Sequence, residues 1–130
     1  MITLLLVDDN DMLRKAIAHI LACDPEIQLV AEAVSFADTM RLTHDLQPQV
    51  VLMDLHLRDQ KAVTPSQVKS SLAGSQLLAM SIWDDDETKT LAEIFGAVTL
   101  LDKTNLATEL IPAIKLYGTE KKEPATRLPA

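Results

Sequence analysis

Val50-Val51-Leu52-Met53-Asp54 constrains this chain more than any other stretch. Four apolar residues in succession, too few for a helix and free of turn formers, read as a strand buried on both faces. Such a strand belongs to a parallel sheet packed between helices, where ligands bind beyond the C-terminal strand ends. This one delivers a carboxylate there. Leu4-Leu5-Leu6-Val7 does the same, running into Asp8-Asp9. If the two strands are neighbours, three carboxylates crowd together and repel one another. A bound hard cation is the simplest compensation.

The remaining pattern supplies the partners of these strands. Ile2 to Val7 is followed by Asn10 and Asp11 as helix caps, then by Leu13, Ala16, Ile17, Ile20 and Leu21 on one helical face. Asp24-Pro25 ends that helix, and Ile27 to Ala33 forms a second strand. Ser35 caps a second helix with Phe36, Met40 and Leu46 inward, stopped before Pro48. Val63, Val68 and Leu72 suit a short third helix starting near Pro65. Leu77 to Met80 is a fourth strand ending at Ser81. Asp84, Asp85 and Asp86 then open a helix with Leu91, Ile94 and Phe95 inward, closed by Gly96. Val98 to Leu101 is a fifth strand ending at Asp102-Lys103. Asn105 caps a last helix through Leu106, Leu110, Ile114 and Tyr117, which Gly118 stops. Strand and helix alternate five times, and right-handed crossovers make this a doubly wound α/β sheet with helices on both faces.

Composition excludes several classes. At 130 residues the chain fits one domain. A net charge of −7 argues against direct contact of this segment with nucleic acid, leaving DNA binding to some other domain. Cys23 is the single cysteine, so no disulfide framework exists, and its helical setting predicts a buried, inert thiol. No apolar run reaches the length of a membrane span and no signal peptide is evident, which makes the expected location cytoplasmic. The segment from Thr119, with two prolines and mixed charge, reads as a flexible tail or the start of a linker. With glycine only at 74, 96 and 118, neither a P-loop nor a dinucleotide fingerprint can be written.

In this architecture Asp8, Asp9, Asp54, Ser81 and Lys103 all arrive at one edge of the sheet. Singly each has an ordinary explanation: a capping cluster, a strand-end serine, a surface lysine. Jointly they suit phosphoryl transfer to a carboxylate. Asp8 and Asp9 would hold an octahedral Mg2+, Asp54 would attack phosphorus to give an acyl phosphate, and the Ser81 hydroxyl would donate to a phosphoryl oxygen. Lys103 would pair on the side away from the metal.

Leu5 to Asp9, Pro48 to Leu55, Ser81 with its following acidic run, Gly96-Ala97 and Lys103 together resemble a response-regulator receiver domain. The likeness is greatest to receivers of bacterial transcription regulators with a C-terminal helix-turn-helix domain, and it covers residues 1 to about 118. It implies a flavodoxin-like (βα)5 fold with strand order 2-1-3-4-5. It divides the chain into a receiver domain at 1–118 and a tail or linker at 119–130. It further implies that Asp54 takes phosphate from the phosphohistidine of a sensor histidine kinase or phosphotransfer protein. Mg2+ would be held by Asp9 and Asp54, by Asp8 through water, and by the backbone carbonyl of His56. A homodimer or partner would read the switch, and enzymatic activity would extend only to the domain's own phosphorylation and dephosphorylation.

Some positions depart from that family. The loop at 58–63 lacks the usual Met-Pro and Gly, so the rigid turn is expected to be missing. Ile82 and Trp83 follow Ser81 where a small residue is usual, Leu100 replaces an aromatic, and Thr104 replaces a proline after Lys103. These departures motivate an alternative: a receiver-like interaction module working without phosphate. A Mg2+-dependent phosphohydrolase is a third reading, but His56 stands where such enzymes carry a second Asp, and no cap domain fits. A solvent-facing loop histidine is the ordinary expectation at that position.

Overall fold

The protein's computed structural model describes residues 1–119; what was expected of 120–130 lies outside the described residues. The elements are β1 (Ile2–Val7), α1 (Asp11–Ala22), β2 (Ile27–Ala33), α2 (Phe36–Leu46), β3 (Val50–Asp54), α3 (Pro65–Ser71), β4 (Gln76–Ser81), α4 (Asp86–Ile94), β5 (Thr99–Asp102) and α5 (Leu106–Gly118). All strand pairs are parallel, in the order β2-β1-β3-β4-β5. The expected doubly wound sheet, with its 2-1-3-4-5 order, is therefore present.

Alternation along each strand divides the core in two. Leu4, Leu6, Val50, Leu52, Leu78 and Met80 pack with Ile17 and Leu21 of α1 and with Leu110 and Ile114 of α5. Leu5, Val7, Val51, Met53, Leu77 and Ala79 pack with Phe36, Val68, Leu72, Ala92 and Phe95 from α2, α3 and α4. Val50 to Met53 are 0% exposed, as a strand covered on both faces requires. Each such side chain contributes about 1.5–3 kcal/mol of burial, so the central strand anchors the residue at its end.

The helix starts follow the caps read from the sequence. Asn10, Ser35 and Asp85 accept from the third backbone N–H of their helices, and Thr64 makes a reciprocal capping box with Gln67 ahead of Pro65. Asn105 does not cap α5 through its side chain. Asp102 takes over, accepting from Thr104 N–H at 2.8 Å in the short 3-10 turn Lys103–Asn105. The inward faces of two helices also differ from expectation. In α2 Thr39 and Thr43 are buried with Phe36 while Leu46 is 46% exposed; in α4 Thr88 and Ala92 are buried while Ile94 is 45% exposed. Cys23 is exposed, contrary to the buried thiol expected; it is the C-cap residue just past Ala22, the last residue of α1.

The 58–63 loop has a defined turn despite lacking glycine. Gln60–Ala62 forms a 3-10 turn closed by Ala62 N–H on the Asp59 carbonyl at 2.9 Å. Asp59 itself reaches across the fold: its carboxylate accepts from Phe36 N–H at 2.9 Å and Ala37 N–H at 3.2 Å. Those donors are unpaired helix-start groups that favour an anion. Asp59→Ala is expected to cost about 1 kcal/mol and to loosen this loop, seen as a lower urea midpoint and faster amide exchange at Phe36 and Ala37.

α5 ends at Gly118 as expected, and this last helical residue is buried. A Cβ there would lie 2.8 Å from Ile2 Cγ2, so glycine permits α5 to close on the first residue of β1. Gly118→Ala is expected to destabilise by about 1–2 kcal/mol through overpacking, despite alanine's higher helix propensity. A denaturation midpoint equal to or above wild type would refute that.

Candidate functional site

Sheet register brings the acids together. Val7 pairs with Met53 across β1 and β3, so the next residues, Asp8 and Asp54, arrive side by side. Oxygens of Asp8, Asp9 and Asp54 all lie within 4.8 Å of one another. Asp8 is 0% and Asp54 5% exposed. Such a group of hard oxygen donors suits a Mg2+-like cation.

Lys103 is the cation that partly balances them. Its Nζ lies 2.8 Å from Asp8 Oδ2 and 3.1 Å from Asp54 Oδ2, with the lysine side chain only 12% exposed. Burial works against the ammonium, but its hydrogen bond to Asp8 and the negative charges of Asp54 and Asp8 outweigh it and raise its pKa above the ordinary lysine range. Asp9 faces Arg58 at 3.7 Å, with Arg58 90% exposed, an interaction worth little in water. One buried ammonium against three close carboxylates leaves net negative charge at the edge of the sheet.

Further bonds fix the acids. Asp8 Oδ1 accepts from Asn10 N–H at 2.8 Å, and Asp54 Oδ1 accepts from His56 N–H at 2.9 Å. Arg14, which sequence reasoning did not single out, donates to the Asp8 carbonyl at 2.8 Å while pairing with Asp11 at 2.7 Å and Glu32 at 3.0 Å. It ties the β1–α1 loop to α1 and β2. Arg14 stands one turn after Asp11 on the helix, the only sequence signal of its role.

Ser81 ends β4 at 1% exposure, where register sets Met80 opposite Asp54 and Ser81 opposite Asp102, the residue before Lys103. Ser81 Oγ accepts from Trp83 N–H at 3.0 Å and meets His56 Nε2 at 3.3 Å. The His56 ring stands edge-on to Trp83, centroids 4.8 Å apart at 87°. His56 is thus half-buried against two neighbours, not the solvent-facing loop histidine expected. Trp83 is 52% and Ile82 59% exposed, and Trp83 touches both Ser81 and His56. Leu100 packs part-buried against the layer of α2, α3 and α4.

A parallel sheet with this strand order, ending in a cluster of acids braced by one lysine, defines a class of signalling module. Residues 4–115 match the model of the response regulator receiver domain, and the chain belongs to that family, the receivers of two-component response regulators. It is 33% identical over 126 residues to the transcriptional regulatory protein LiaR of Bacillus subtilis, covering 95% of this chain and 58% of that protein. It is 29% identical over 115 residues to the response regulator protein VraR of Staphylococcus aureus, covering 88% and 55%. The chain therefore spans a little over half the length of these relatives. Among solved structures, a LuxR-family two-component response regulator from Aurantimonas superposes with TM-score 0.81 at 22% identity, covering 94% of this chain and 88% of that one. The signal receiver domain of NarL from Mycobacterium tuberculosis gives 0.80 at 21%, covering 92% and 98%. These two likenesses show the shared fold. No described helix is long and apolar enough to cross a membrane.

Proposed function

We propose that residues 1–118 form a phosphoacceptor switch in which Asp54 receives a phosphoryl group from the phosphohistidine of a sensor histidine kinase or phosphotransfer protein. The observation that carries this is the buried Asp54 carboxylate within reach of Asp8, Asp9 and Lys103. An Asp54 carboxylate oxygen attacks phosphorus, the P–N bond breaks, and the leaving imidazole nitrogen takes up a proton. The product is an acyl phosphate.

Asp9, Asp54, the His56 backbone carbonyl and, through water, Asp8 would hold Mg2+. When bound, the ion neutralises charge on the phosphoryl oxygens. Lys103 would donate to the phosphoryl group from the opposite side, and the Ser81 hydroxyl would turn inward to do the same. Those differential contacts supply the free energy that favours one arrangement of α4, β5 and α5 over another. The reader of that change would be a second copy of the chain, a partner, or a DNA-binding domain beyond a linker beginning near Thr119, in the cytoplasm. The domain itself contributes no nucleic-acid contact in this reading.

Intact mass after incubation with Mg2+ and acetyl phosphate tests the proposal. One added phosphoryl group, lost when EDTA replaces Mg2+, is expected. No addition under any donor would favour the phosphate-independent interaction module, for which the core-packed Leu100 in place of an aromatic is the supporting observation.

A further inference from the structure

Ser81 is already engaged by two neighbours in the resting protein. Its hydroxyl offers one donor and two acceptor sites. Among the described residues it accepts from Trp83 N–H at 3.0 Å and bonds His56 Nε2 at 3.3 Å. Whichever tautomer the imidazole holds, this bond tethers the oxygen to the histidine. The imidazole in turn has little freedom. Its own backbone N–H is spent on Asp54 Oδ1 at 2.9 Å, and its ring is braced edge-on by Trp83. Asp54, His56, Ser81 and Trp83 therefore form one connected chain of contacts around the nucleophile. Lys103 needs no comparable release, because it already lies 3.1 Å from Asp54.

We infer that His56 is a positioning residue that holds the Ser81 hydroxyl in its resting place, so that phosphoryl binding at Asp54 must break the His56–Ser81 hydrogen bond. The inference rests on the phosphoacceptor reading. Histidine at this position then lowers the affinity of the activated state by the strength of that one bond. A neutral hydrogen bond of ordinary net strength corresponds to about a two- to tenfold change in an equilibrium constant.

The test is calorimetric titration of the protein with beryllofluoride in the presence of Mg2+. His56→Phe keeps a ring edge against Trp83 but has no nitrogen for Ser81, and is expected to bind about two- to tenfold more tightly than wild type. His56→Gln restores a polar group at similar reach and is expected to return affinity towards wild type. In a Ser81→Ala background the gain from His56→Phe should vanish, since the cycle isolates the pairwise contact. Equal or weaker binding by His56→Phe, a gain as large in His56→Gln, or a gain that persists without the Ser81 hydroxyl would each overturn the inference while leaving the phosphoacceptor reading intact. Failure of the wild-type protein to bind beryllofluoride at all would overturn both.

Discussion

Asp54→Asn is expected to give a folded protein that takes up no phosphoryl group. The amide keeps the shape of the side chain and, through its carbonyl, the acceptor for His56 N–H now provided at 2.9 Å. It has no anionic oxygen to attack phosphorus. Without metal the variant is also expected to unfold no earlier than wild type, because one of three mutually repelling carboxylates is gone while Asp8 retains Lys103 at 2.8 Å. Its stabilisation by Mg2+ should be smaller, for the same reason. Intact mass with acetyl phosphate and thermal unfolding with and without Mg2+ read the two effects separately. Labelling equal to wild type would remove Asp54 from the site.

Lys103→Ala is expected to have the larger effect on stability. Asp8 is wholly buried, and the lysine is the cation in contact with both it and Asp54. Removing one partner of a buried pair leaves the other charge uncompensated, at a cost of about 3 kcal/mol, or roughly 10 °C in Tm for a domain of this size. Mg2+ should restore more stability to this variant than to wild type, since the ion supplies the missing positive charge. Lys103→Met, which keeps the aliphatic stem, separates charge from packing: a loss equally large in Ala, small in Met and unaffected by Mg2+ would assign the lysine a packing role. Phosphoryl uptake should persist in part, uncoupled from any change in partner or dimer binding. The pH dependence follows from the raised lysine pKa. The ion pairs contribute fully below the unfolded-state value near 10.5 and are lost as pH climbs through the higher folded value. The wild-type protein should therefore lose stability at strongly alkaline pH, and Lys103→Ala should lack that component.

The sheet was readable because each inner strand is covered on both faces, which leaves continuous apolar runs with no competing interpretation. The acids could be assigned to one edge because parallel strands share a direction. Helix faces were harder. Leu46 and Ile94 are the last residues of their helices and exposed, while Thr39 turns its hydroxyl onto the Ser35 carbonyl at 2.7 Å and so can face inward. Contacts between distant segments left no local mark at all. Asp59 serves a helix start 23 residues earlier, and Arg14 joins a strand 18 residues later. The contact of Ser81 with His56 left no mark either, since it joins the end of β4 to the loop 25 residues earlier.

Helix α5 connects the two poles of the molecule. It begins three residues after Lys103 and ends at Gly118, pressed on the first residue of β1. Its 13 residues make a rod about 20 Å long. Were it to pivot beside the lysine as a unit, Pro112 included, a tilt of about 5° at its first turn would carry its last turn through about 2 Å. In the proposed switch, the tight seat against Ile2 would act as a stop, converting small motions among charges at one end into strain at the other.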